Sequence, residues 1–146
     1  MKMILLIVMM VLGSLHAEDQ NFTSSIRLYK PIAITSTRDL IFPERAITGS
    51  NFNITIDANS PNAASFNTVG GKDRSIIRTV VEPSVRLSSS GNGGAITVGD
   101  FTLSGPTAFN EQGEANGINV GATAKITAAN RSGDYVGTAT FRVVYM

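Results

Sequence analysis

The chain has 146 residues and carries 12 Lys and Arg against 11 Asp and Glu, a net charge of +1. That balance, with the basic residues scattered, gives no electrostatic case for nucleic acid or an anionic membrane surface as a partner. There is no Cys, no Trp and a single His, His16, which excludes Cys-His catalysis and thiolate zinc sites.

The N-terminus reads as a secretory signal. Lys2 supplies a positive start, residues 3–12 (MILLIVMMVL) are continuously apolar, and Gly13-Ser14-Leu15-His16-Ala17 offers a small-residue cleavage region. The apolar run is shorter than the roughly 20 residues that span a bilayer. Cleavage after Ala17 is therefore expected, leaving no permanent membrane anchor; the alternative is an uncleaved anchor, which the polar residues 18–21 would suit equally. Cleavage removes Lys2 and His16 together, so residues 18–146 carry equal numbers of acids and bases and no imidazole. A Ser-His-Asp group is then excluded as well. No calcium-loop pattern occurs, and no catalytic residue, metal ligand or cofactor is assigned. An exported chain without cysteines has no disulfide staples, but residues 18–146 are enough for one hydrophobic core.

Residues 18–30 form a separate N-terminal strand expectation, ahead of a domain over 31–146. Phe22, Ser24, Ile26 and Leu28 fall on one face of an extended segment, and Thr23, Ser25, Arg27 and Tyr29 on the other. Pro31 interrupts, and Ile32-Ala33-Ile34 resumes. Residues 52–56 alternate Phe, Ile and Ile against Asn and Thr. Residues 75–81 and 85–87 flank a break at Glu82-Pro83, since proline cannot donate to a strand ladder. Residues 88–94 (SSSGNGG) form a loop around the tight-turn pair Asn92-Gly93. Residues 95–103 form a strand whose phase shifts at Gly99-Asp100, the mark of a bulge or turn. Turns are expected at Gly105-Pro106 and at residues 111–113. Ile118, Val120, Ala122, Ala124 and Ile126 alternate, followed by a turn at residues 130–134. Tyr135, Gly137, Ala139, Phe141, Val143 and Tyr145 then share one face of a last strand, expected to pair with residues 118–126 as an antiparallel hairpin. Short Val-, Ile-, Thr- and Phe-rich strands between Gly, Ser and Asn turns predict an all-β, antiparallel β-sandwich. The carboxylates Asp39, Asp57, Asp73 and Asp100 read as turn or strand-end residues; no two are spaced as a glycosidase pair.

Three stretches carry a resemblance: KPIAIT at residues 30–35, DLIF at residues 39–42 and SGDYVGTATFRVVY at residues 132–145. Together they resemble a bacterial family of small exported β-domains of unknown function, often considered pilin-like. The family usually has Gly after its D-L-x-F aromatic, where this chain has Pro43. Tyr145, second from the end, also resembles the near-terminal aromatic of chaperone–usher fimbrial subunits, in this case of their disulfide-free branches. The resemblance implies an immunoglobulin-like sandwich, incomplete in itself and completed by a strand donated from another subunit. Phe22, Ser24, Ile26 and Leu28 would form the donor strand. Tyr135, Gly137, Phe141, Val143 and Tyr145 would line the acceptor groove. The implied partners are further copies in a homopolymer, a periplasmic chaperone and an outer-membrane usher. The implied location is the periplasm, cell surface or an extracellular fibre.

Alternation reports a half-buried strand and not whose sheet it joins. The first strand can equally complete its own sandwich, giving a monomeric secreted or periplasmic domain. Such a domain could be a carbohydrate-binding or adhesin module, with loops near residues 59–68 and 88–94 carrying recognition.

Overall fold

A computed structural model describes residues 18–91 and 94–146. The expected signal sequence at residues 1–17 and the Asn92-Gly93 turn lie outside the described residues.

The described residues form eight strands: β1 Ala33–Arg38, β2 Phe52–Ile56, β3 Ala64–Val69, β4 Ile76–Val80, β5 Ser84–Ser88, β6 Ala95–Ser104, β7 Glu114–Ile126 and β8 Phe141–Tyr145. All pairings between them are antiparallel. The larger sheet runs β1-β3-β7-β6-β5, with β2 also on β7; the smaller is β4-β8. The result is an all-β, sandwich-like half-barrel.

The thirteen-residue β7 organises the larger sheet. Its alternating Ile118, Val120, Ala122, Ala124 and Ile126 are all buried. Along one side it pairs with β6; on the other it pairs first with β3 and then with β2. Two apolar clusters follow from this division. Ile76, Phe109, Ala115, Ile118 and Val143 pack between the two sheets. Val98, Ala122, Ala124 and Ile126 pack at the other end of β7, covered by groups that include Leu40, Phe42 and Leu87. Leu40 and Phe42 belong to the DLIF stretch and serve the second cluster, while Ile41 between them is exposed.

Several local expectations hold. The break at Glu82-Pro83 separates β4 from β5. The phase shift in β6 is a bulge: its register against β7 slips between Gly99 and Thr102, and Asp100 has a φ of 50°. The turn at residues 111–113 closes with the Gly113 N–H donating to Asn110 O at 2.9 Å. Asp57 acts as a turn residue, its Oδ1 accepting from Asn59 N at 2.8 Å.

Two expectations are corrected. Residues 59–68 are not simply a recognition loop, because Ala64–Val69 is β3, hydrogen-bonded on both edges. The expected hairpin between β7 and the last strand does not form: both edges of β7 are taken, and β8 pairs with β4 across 60 or more intervening residues. The last strand is also shorter than expected. Residues 135–140 carry no ladder, and Val136 makes an isolated bridge to Ser88 of β5.

Candidate functional site

The sandwich has two unpaired strand edges on the same side. Among the described residues, β1 pairs only with β3 in the larger sheet, and β8 pairs only with β4 in the smaller one. Arg78 of β4 donates to Ser104 O and Gly105 O at the end of β6, setting β4 over that side of the sheet. β8 lies over β3, where Phe141 stacks on Phe66 with 4.3 Å between ring centroids. The free edge of β8 therefore faces the side where β1 ends the larger sheet.

The apolar seam between these edges is incompletely covered. Ser36 pairs with Phe66 and Ile34 with Thr68, so Ile34 and Phe66 share the inward face. Ile34 nevertheless stays 41% exposed, and every residue of β1 is exposed. Phe141 and Phe66 are half-buried, whereas Val143 is buried. Ile34 is thus an inward-facing apolar side chain that the described residues leave partly uncovered.

One end of the seam is closed by the last tyrosine. Tyr145 Oη accepts from Gly71 N at 2.7 Å and donates to Lys30 O. The Tyr145 ring lies 5.7 Å from that of Tyr29 and 5.9 Å from that of Phe109. The Arg74 guanidinium sits 4.1 Å above the Tyr29 ring, a cation–π contact, while its buried Nε has no hydrogen-bond partner among the described residues. Ile32, two residues on from Lys30, packs against the inter-sheet cluster. The KPIAIT stretch is thus the point where the chain is pinned to the domain before β1 begins.

The other end is fixed by Glu82, in the break between β4 and β5. Its carboxylate accepts from Thr140 N at 2.7 Å and from Thr140 Oγ1 at 2.8 Å, just before β8. These hydrogen bonds, the backbone one first, hold the Glu82 carboxyl below its ordinary value of 4.5.

The expected donor residues stand clear of the domain. Residues 18–32 form no strand with the other described residues. Phe22, Ile26 and Leu28 are 89%, 83% and 82% exposed, and Ser24 is exposed between them. Of the expected groove residues, Phe141, Val143 and Tyr145 face the seam together, but Tyr135 and Gly137 do not join them. The Tyr135 hydroxyl bonds back to its own turn, donating to Arg131 O at 2.8 Å. Gly137 lies so close to β5 that a Cβ there would come within 2.7 Å of Arg86 O. The polypeptide bends between these groups, which a period-two reading through residue 145 cannot register. Ile34, Phe66, Lys30 and Arg74 complete the site; Lys30 and Ile34 fall in the KPIAIT stretch, where the sequence gives them no site role, and Phe66 and Arg74 lie outside the three stretches. For Ile34 the signal was present, in its alternation with Ile32.

Among the described residues, no group of three or more acidic or His residues is placed to hold a metal ion. Residues 32–145 match a family described as a domain of unknown function, DUF4402. No curated protein matches the chain, and no solved structure does.

Proposed function

The chain belongs to the DUF4402 family of unknown function, and from that premise we propose that it is a non-enzymatic structural subunit of a bacterial surface fibre. Copies join when the N-terminal segment of one adds as a strand to the open edge of the next.

One observation carries this reading. A constant-type immunoglobulin sandwich has strands A, B, E and D in one sheet and C, F and G in the other. Taken in chain order, β1, β3, β7 and β6 occupy the A, B, E and D positions, and β4 and β8 occupy C and F. β2 and β5 are additions to the larger sheet. No described strand occupies the G position beside β8. The chain instead carries a segment, residues 18–28, whose three apolar side chains Phe22, Ile26 and Leu28 are exposed and which pairs with no described strand.

Strand addition matches the two. Backbone hydrogen bonds to β8 supply affinity, and alternate side chains fill the seam. Phe22, Ile26 and Leu28 would each contribute about 1.5–3 kcal/mol on full burial, against Ile34, Phe66, Phe141 and Val143. A contact that joins the front of one copy to the groove of another does not close on itself, so it builds a filament. An uncovered edge during export is an aggregation hazard. A periplasmic chaperone that covers it and an outer-membrane usher that exchanges it are the fitting partners.

The test is concentration-dependent assembly of residues 18–146. Laddered multimers on mild denaturing gels, with fibres under the electron microscope, are expected. A monomer at all concentrations that binds a glycan would replace this reading with that of a self-contained binding module.

A further inference from the structure

Strand addition between copies has a competitor within each copy. At about 3.3 Å per residue, residues 18–28 reach roughly 36 Å, about twice the length of the five-residue β8. They are long enough to lie in their own seam. A tethered segment sees its own site at an effective concentration in the millimolar range, unless geometry forbids the engagement. A subunit that polymerises needs such a prohibition.

We infer that Tyr145, with Tyr29 and Arg74, is a positioning device that holds the N-terminal segment off its own groove; this rests on the strand-addition reading. β1 starts at the pole where β8 ends, since Ala33 pairs with Val69 and Gly71 hydrogen-bonds Tyr145. To occupy its own seam, the segment must reverse direction between Leu28 and Ala33. Each residue of that stretch is committed against a reversal. Ile32 is packed into the inter-sheet cluster, and the Lys30 carbonyl is held by Tyr145 Oη. Pro31 biases Lys30 toward extended backbone. Tyr29 is held by contacts to both the Tyr145 ring and the Arg74 guanidinium. The segment is thereby directed outward, where only another copy can take it.

The chain has no Cys, so Ser24→Cys places a single thiol in the donor segment. Its alkylation rate is measured in dilute monomer, alone and combined with Tyr145→Phe or Tyr29→Ala. With the device intact, the thiol reacts at the rate of a free peptide. In the Tyr145→Phe background it slows by about tenfold or more, as the segment settles into its own groove, and multimer yield falls in parallel. Tyr29 is 43% exposed, so Tyr29→Ala leaves folding intact and provides the same readout should Tyr145→Phe fail to fold. Equal thiol rates in all three proteins, or a thiol already protected with the device intact, overturns the inference. Failure of the strand-addition reading looks different: residues 18–146 without any substitution then form no multimers at any concentration, whereas failure of the inference alone leaves multimers forming and the thiol rates equal.

Discussion

Phe66 of β3 and Phe141 of β8 stack with their planes 20° from parallel, and this contact ties the two sheets together beside the open seam. Aromatic pairs of this kind add about 0.5–1.5 kcal/mol beyond their area. Phe141→Ala should lower unfolding stability by about 2–4 kcal/mol, below the fully buried extreme because the ring is half-exposed. Phe141→Leu should lose about half of that. Urea denaturation with an unchanged m-value checks both.

Thr68 is fully buried and donates through Oγ1 to Ala115 O at 2.9 Å. Thr68→Val keeps the shape and removes the donor, leaving a buried carbonyl with one partner fewer. A loss of about 1–2 kcal/mol is expected, read from the shift in denaturation midpoint. Thr68→Ser should restore part of it.

Gly121 marks where β2 meets β7. A Cβ at this position would stand 2.3 Å from Ile56 O and 2.6 Å from Ala58 N, both backbone atoms that cannot swing away. Gly121→Ala should therefore cost about 1–3 kcal/mol or more by forcing the strands apart. Faster amide exchange should appear in β2 before the rest of the sheet.

The Glu82–Thr140 contact predicts an acid-sensitive margin. The folded-state carboxyl titrates below its ordinary value of 4.5, chiefly through its hydrogen bonds to Thr140. Its contribution is thus fully present above the unfolded-state value and is lost as pH falls through the folded one. Glu82→Ala should be less stable than the unaltered chain near neutral pH, and the two should converge as pH falls through the lowered folded-state value of the carboxyl. Thermal unfolding across that range is the check.

Local patterning made much of the fold legible. The alternation of β7 and the apolar triplet of β2 each identified a strand, and the break in phase at Gly99-Asp100 identified the bulge in β6. Partner choice was not legible, because alternation states that a strand is half-buried and leaves its neighbour open. Alternation alone points β8 to β7, its neighbour in sequence, whereas its partner is β4. β3 carries no clear alternation because ASFNTV mixes small and polar residues; the buried Thr68 there donates its hydroxyl to Ala115 O. The candidate site was half legible. Phe141, Val143 and Tyr145 follow from the last strand's alternation, whereas Phe66 and Arg74 reach the seam through contacts between residues far apart in sequence.

The most direct test of strand addition is the stability of residues 29–146, lacking the segment 18–28, with and without a peptide spanning residues 21–30 supplied in trans. The account predicts that the truncated domain remains a folded monomer with an open groove, and that the peptide raises its melting temperature saturably. Phe22→Ala and Ile26→Ala in the peptide should each weaken that effect. A truncated domain that unfolds and is not rescued, or one that folds but ignores the peptide at millimolar concentration, would contradict the account.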